Sequence, residues 1–190
     1  MKYGIFSDVH GDINLLERLF NKFDEEEIKG VCLGDIVHNG ETYNEKRCVD
    51  LVKENGCYAI KGNHDNEVVK LYTQSCKSRL STEDIRYLKI LPRLIQIGDI
   101  MLVHNSSDID NDFNVKKEFN ALRLSDCKVG FFGHGHKRSA YRNGNVIDLV
   151  NAKLSLNHGL YLINPGALWK EGLYGVYDLD NNLFDFKQLS

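Results

Sequence analysis

The 190-residue sequence predicts an α/β protein of two packed sheets with helices outside, on three observations. Short apolar runs alternate with helical patterns through the first half, the order that leads to parallel strands joined by right-handed crossovers. The second half is richer in short strands separated by tight-turn signals. Five of the apolar runs end in Asp, Asn or His, and the crevice beyond the carboxyl ends of strands is where α/β sheets bind ligands.

Each element has its own warrant. Residues 2–6 form an apolar run that reads as a first strand. Asp12 can cap a helix in which Ile13, Leu16, Leu19, Phe20 and Phe23 recur at three- and four-residue spacing. Residues 28–33 read as a second strand and 41–55 as a helix that Gly56 stops. Residues 57–60 are a third short strand, 66–71 a short helix, and 82–88 a helix with Ser81 as its cap. Strands at 93–97 and 100–104 flank a Gly98-Asp99 hairpin signal. Residues 115–124 are helical and 129–132 extended. Strands at 139–142 and 146–150 flank Asn143-Gly144-Asn145, and strands at 160–163, 172–178 and 183–187 close the chain.

Length and composition bound the function. A chain of 190 residues favours one domain, taken as residues 1–190 with no separate cap. Twenty-four Lys and Arg stand against 27 Asp and Glu, a net charge of −3 that argues against a stable nucleic-acid complex or an anionic membrane as partner. It does not exclude a nucleotide as substrate. Cys32, Cys48, Cys57, Cys76 and Cys127 are odd in number with no CxxC, which reads as reduced thiols in a cytoplasmic protein. No signal peptide or membrane span is visible.

The chemistry lies at the strand ends. These carry Asp8-Val9-His10, Asp35, Asn63-His64-Asp65, His104 and His134-Gly135-His136. A lone Asp-x-His is weak, and a single His is more often packed or exposed than catalytic. Five such ends in series make coincidence implausible. Together they offer more oxygen and nitrogen donors than one ion needs. The mixed set favours Mn²⁺, Fe, Zn²⁺, Co²⁺ or Ni²⁺ over Mg²⁺ or Ca²⁺. Two ions ~3.5–4 Å apart suit in-line attack on a phosphoryl group.

The blocks Asp8-Val9-His10, Gly34-Asp35, Gly62-Asn63-His64-Asp65, His104 and Gly133-His134-Gly135-His136 resemble, in order and strand context, the calcineurin-like metallophosphoesterase family. Leu33-Gly34-Asp35-Ile36-Val37, the later Asn44-Glu45 pair and Asn164-Pro165-Gly166 are similar to its compact bacterial and archaeal phosphodiesterase-like branch. The resemblance implies a four-layer sandwich of two mixed β-sheets flanked by helices. It implies two divalent metal ions, Mn foremost, the first held by Asp8, His10, Asp35 and His136 and the second by Asp35, Asn63, His104 and His134. A metal-bridging hydroxide would attack phosphorus, His64 would protonate the leaving oxygen, and Asp65 would orient or charge His64. An imidazole titrates near neutral pH and suits that donation. The expected activity is a phosphodiesterase or phosphatase on a small phosphate ester.

The departures matter as well. Diadenosine tetraphosphatase and Ser/Thr phosphatase branches carry Asp-Arg-Gly shortly after Gly-Asp, where the Arg clamps phosphate. This chain has His38-Asn39-Gly40 there, which counts against a diadenosine polyphosphate hydrolase, the first rival reading. The second rival is a non-catalytic interaction scaffold, disfavoured by the full ligand set and by His64. Substrate contacts are expected from Asn63 and from His38, which otherwise caps a loop. Asn164-Pro165-Gly166 is read as a site-facing loop, while His158, the Lys77–Arg79 stretch and the acidic loop with Asp108, Asp110 and Asp112 are read as solvated surface. An open cleft is expected, with selectivity from short loops or from a neighbouring copy in a homo-oligomer.

Overall fold

The computed structural model describes residues 1–75, 78–105, 115–150 and 152–189. One sheet has the strand order β3(Tyr58–Ala59), β2(Lys29–Cys32), β1(Lys2–Phe6), β11(Leu173–Asp178), β12(Leu183–Gln188), β9(Lys153–Ser155). The other has β4(Leu94–Ile97), β5(Ile100–Val103), β6(Val129–Phe132), β10(Tyr161–Asn164), β7(Ser139–Arg142), β8(Asn145–Val146). The first sheet is covered by α1(Ile13–Glu25), α2(Tyr43–Glu54), α3(Asn63–Ser75) and α4(Thr82–Ile90), and the second by α5(Val115–Leu124). The expected four-layer sandwich is thus present.

Alternation along the strands builds the layers. In β1, Tyr3 and Ile5 point into the core between the sheets, while Phe6 joins the layer under the helices. Val129 and Phe131 of β6 face the same inter-sheet core, and Phe132 packs with Phe119 and Leu122 of α5. Burying a side chain such as Phe131, fully enclosed, contributes ~1.5–3 kcal/mol. The helices that start after Asp12 and Ser81 begin where the sequence expects, and α2 begins at Tyr43, two residues after the expected start. Asp12 accepts from Leu15 N–H at 3.3 Å, and Thr42 with Glu45 and Ser81 with Asp84 form capping boxes.

Each sheet contains three adjacent parallel strands: β1, β2 and β3 in one, β5, β6 and β10 in the other. That arrangement decides where the site lies, because parallel strands bring their carboxyl ends to one edge.

The structure revises several boundaries. The helix expected at 66–71 runs from Asn63 to Ser75 and starts inside the Asn63-His64-Asp65 block. Its first turn is capped from a distance, since Asp35 Oδ1 accepts the His64 N–H at 2.9 Å, so no local cap residue announces it. The strand expected at 146–150 pairs only over Asn145–Val146, after a two-residue turn with positive φ at Asn143 and Gly144. The edge strand β9 carries no sequence signal of its own and is made by pairing with β12. Cys32, Cys48, Cys57 and Cys127 are free thiols. Cys76, Lys77, Asp108, Asp110 and Asp112 lie outside the described residues. Among the described residues no helix is long and apolar enough to cross a membrane.

Candidate active site

The carboxyl ends of the parallel strands meet at one edge of the sandwich. Asp8 and His10 follow β1, Asp35 follows β2, and Asn63 follows β3. His104 follows β5, and His134 and His136 follow β6. Of the ten non-glycine residues with positive φ among those described, Asp8, His10, Asp35, His134 and His136 account for five, at φ between 46° and 64°. Left-handed backbone at side chains of this kind costs on the order of 1–3 kcal/mol and clusters at functional sites. The sharp turns it produces aim consecutive blocks of side chains into the same small volume.

Three donor groups result, Asp8 with His10 and His136, Asp35 with His104 and His134, and an all-imidazole group of His10, His38 and His64, and the first two carry carboxylates. In the first, the Nε2 atoms of His10 and His136 are 3.2 Å apart, and His136 Nε2 is 3.3 Å from Asp8 Oδ1. In the second, His104 Nε2 is 3.3 Å from Asp35 Oδ2 and 3.0 Å from Asn63 Oδ1. His134 Nδ1 also lies 2.9 Å from Asn63 Oδ1. Asp35 stands between the clusters, with its Oδ2 3.9 Å from His10 Nε2. Two glycines permit the closeness. A Cβ on Gly62 would meet Asp35 Oδ1 at 2.0 Å, and one on Gly133 would meet Ser7 Oγ at 2.1 Å and His104 Nδ1 at 2.8 Å.

Both clusters could hold a cation on chemical grounds. Asp8 is fully buried, yet neither of its carboxylate oxygens has a hydrogen-bond partner. An unpaired buried carboxylate is costly unless a cation compensates it. Burial lowers the pKa of His10 to about 4, against the pull of Asp35 and Asp8, so its ring is neutral and carries a lone pair. Burial raises the Asp35 pKa, but His104 and His10 outweigh it and bring it to about 2. His104 answers in the opposite sense. Burial lowers its pKa, and Asp35 together with the Leu33 carbonyl raises it to about 9. The Asp8 carboxylate, 3.3 Å from His136 Nε2, raises the His136 pKa against burial.

The role expected of Asp65 needs correction. Its carboxylate does not reach His64. It accepts the backbone N–H groups of Gly62, Asp35, Ile36 and Val37 at 2.9–3.2 Å. Burial and the nearby Asp35 charge raise its pKa to about 6, against the pull of those amides. Asp65 therefore shapes the turn that carries Asp35. His64 is oriented by another group, its Nδ1–H donating to the His38 carbonyl at 2.9 Å, which leaves Nε2 as the outward nitrogen. His38 itself is exposed, and its ring stacks on that of His64 with centroids 4.8 Å apart.

Sequence reasoning noticed Glu45 only as part of a pattern. Its Oε1 accepts the N–H groups of His38, Asn39 and Gly40 at 2.7–2.9 Å, and its Oε2 accepts both Thr42 N–H and Thr42 Oγ1–H at 2.9 Å. Burial raises its pKa, but these donors outweigh burial and the net shift is downward. Glu45 therefore holds the loop whose carbonyl holds His64. The S/T-x-x-E spacing of Thr42 to Glu45 was a usable signal for it.

The expectation for Asn164-Pro165-Gly166 is met in part. Asn164 is buried, donates Nδ2–H to Gly133 O at 2.7 Å and accepts from Gly166 N–H at 2.8 Å. The following amides of Ala167, Leu168 and Trp169 donate to His136 O, Ser7 O and Asp8 O at 2.9–3.1 Å. This segment stitches the His134 loop to the Asp8 loop. It also brings Trp169 to the cleft, its ring centroid 5.3 Å from that of His10, and the sequence offered no signal for that residue. His158 is exposed, as expected.

Comparison with known proteins agrees with this geometry. Residues 1–182 match the model of the calcineurin-like phosphoesterase superfamily domain. The chain is 30% identical over 188 residues to an uncharacterized protein of Methanocaldococcus jannaschii, covering 86% of this chain and 74% of that one. A metallophosphoesterase from Sphaerobacter thermophilus superposes with a TM-score of 0.81 at 25% identity, covering 100% of this chain and 89% of that chain. A structurally characterised archaeal phosphodiesterase has a TM-score of 0.62 at 19% identity, with 100% of both chains covered. A family match over nearly the whole chain, on a fold and a donor set of this kind, makes the protein a phosphoesterase of the calcineurin-like superfamily.

Proposed function

We propose that the protein hydrolyses a small phosphate ester, as a phosphodiesterase or phosphatase dependent on two divalent transition metal ions. The observation that carries the reading is the position of Asp35. Its Oδ2 lies within 3.9 Å of a ring nitrogen from each donor cluster, so one carboxylate can serve both. Asp8, His10, Asp35 and His136 would hold the first ion, and Asp35, Asn63, His104 and His134 the second. The mixed nitrogen and oxygen donors suit Mn²⁺, with Fe, Zn²⁺, Co²⁺ and Ni²⁺ as its competitors. Bound there, the ions neutralise phosphoryl charge and make a nucleophile available from water near neutral pH.

The chain's own groups complete the reaction. His64 donates a proton from Nε2 to the departing oxygen as the bond from phosphorus to that oxygen breaks, and the bond from phosphorus to the oxygen of water forms on the opposite side. The His38 carbonyl keeps Nδ1 protonated and the ring in place. Asp65 and Glu45 hold the two loops on which Asp35 and His38 ride. Asn63 is tied to His104 and His134 through its Oδ1 and fixes the start of α3 beside them.

The test is hydrolysis of bis-p-nitrophenyl phosphate and p-nitrophenyl phosphate by protein loaded with Mn²⁺, Zn²⁺, Fe²⁺, Co²⁺ or Ni²⁺ in turn. Absence of turnover with every metal overturns the proposal. His64→Ala is expected to lower kcat by ~10²–10⁴-fold, the usual worth of a general acid. Metal content should stay at the wild-type level. Equal loss of metal would mean that His64 is a ligand.

A further inference from the structure

The cleft has one aromatic side chain, Trp169, that the hydrolytic chemistry does not use. Trp169 is half-buried and comes directly after the segment that stitches the two metal-facing loops. Its ring meets His10 at a centroid distance of 5.3 Å and His136 at 6.1 Å, both edge-on. It lies within 19° of parallel to the exposed ring of His38, centroids 6.5 Å apart, and His38 lies within 22° of parallel to His64. Three near-parallel rings, His64, His38 and Trp169, therefore line one side of the cleft beside the Asp8 cluster.

The indole is also held in place. Its backbone N–H donates to Asp8 O at 3.0 Å, and the tight turn after it is closed by Gly172 N–H to Leu168 O at 2.8 Å. Lys170 adopts a positive φ within that turn, and its Nζ lies 3.8 Å from the Trp169 ring centroid. The exposed Lys170 ammonium thus covers one face of the indole and has to swing aside before a planar ligand can stack there. A large aromatic side chain left half open next to so many polar groups contributes little to the core, and it offers a planar surface to a planar partner.

We propose that Trp169 and His38 form the subsite for a nucleobase, so that the esters cleaved are nucleotides with the base stacked on this flank and the phosphate at the donor clusters. The inference rests on the phosphoesterase reading of the same site and adds the class of its substrate. Stacking tolerates any base, because every base has a π-face, so the subsite selects nucleotides over ring-less esters without selecting one base sharply. Lys170, displaced from the indole face by the base, stays beside the bound ligand and favours an anionic one over a neutral one.

Trp169 is the one tryptophan of the chain, so intrinsic fluorescence excited at the red edge of its absorption reports on this subsite directly. Titration of the metal-loaded wild-type protein with adenosine monophosphate should quench and shift that emission, whereas ribose 5-phosphate and inorganic phosphate should leave it nearly unchanged. In kinetics, KM for nucleotides should lie roughly 5- to 150-fold below KM for ring-less esters of the same phosphate type, the range a stacked base contributes. Trp169→Ala should collapse that ratio towards one, and Trp169→Phe, which keeps a ring, should restore most of it. Unchanged emission with adenosine monophosphate, together with equal KM for the two classes, overturns the subsite and leaves the hydrolase intact. Absence of turnover on every ester with normal quenching overturns the hydrolytic reading and leaves the subsite.

Discussion

The two donor clusters are built from the same residue types and differ in how the protein satisfies them. The Asp35 cluster is tied to the chain at nearly every atom. Asp35 Oδ1 accepts the His64 N–H, His104 Nδ1–H donates to Leu33 O at 2.7 Å, and Asn63 Oδ1 joins His104 to His134. The Asp8 cluster is left open, with both oxygens of Asp8 and Nδ1 of His10 buried and without hydrogen-bond partners. The first cluster is a network that stands without a ligand, and the second is one that a cation completes. The ion pairs differ in burial as well, since Asp35 and His104 are both enclosed whereas the His136 that approaches Asp8 at 3.3 Å is 42% exposed.

The comparison predicts unequal behaviour for two equivalent substitutions, both read in metal-free protein by calorimetry. Asp35→Asn has the largest effect expected. It leaves the His104 charge buried and unpaired, which costs ~3–5 kcal/mol of stability. It also lowers metal content at both positions and reduces turnover to background. Asp8→Asn should abolish turnover as well, yet the metal-free protein should stay within ~1–2 kcal/mol of the wild type, since the carboxylate removed has no aligned hydrogen bond and its neighbour His136 is partly exposed. If the proposed two-ion site is right, metal analysis should then find one ion per chain in the variant and two in the wild type. If Asp8→Asn destabilises the metal-free fold as strongly as Asp35→Asn, the contrast between the clusters is wrong.

Glu45→Gln probes the loop that orients His64. It removes a charge-assisted acceptor of several backbone N–H groups, at ~1.5–3 kcal/mol. Because the folded pKa of Glu45 is lowered, its ionisation stabilises the fold above the unfolded carboxyl pKa and loses that effect as pH falls through the folded value. The stability difference between wild type and variant should therefore be full at neutral pH and shrink progressively below about pH 4.3, the unperturbed Glu value. A difference independent of pH would mean that the charge of Glu45 is irrelevant. His158→Ala carries the smallest expected effect. The residue is exposed and remote from the cleft's ring contacts, so stability should move by no more than ~0.5 kcal/mol and kcat not at all.

The site was legible to a high degree because its residues come directly after apolar runs in the chain. The blocks ending in His10, Asp35, Asp65, His104 and His136 each stand where a strand stops, and parallel strands deliver their ends to a common edge. Elements with a local signal were equally readable. The helix Val115–Leu124 and the strand Val129–Phe132 fall where periodicity places them. The features that escaped depend on a partner distant in the chain. The start of α3 is capped by Asp35, β9 exists by pairing with β12, and Asp65 turned out to serve the Asp35 loop rather than His64.

By itself the sequence determined the α/β class, the layered order of apolar runs and the Asp, Asn and His residues at the strand ends, since each is written in spacing and residue type, while the acid role of His64 came from the family resemblance. Only the tertiary structure decided which oxygens of that set are left without partners, which carbonyl holds His64, and that Trp169 stands beside His10. The physical reason is range. Periodicity and turn chemistry act over a few residues, whereas hydrogen-bond satisfaction and ring contact in the cleft join segments up to 161 positions apart, as Asp8 and Trp169 are.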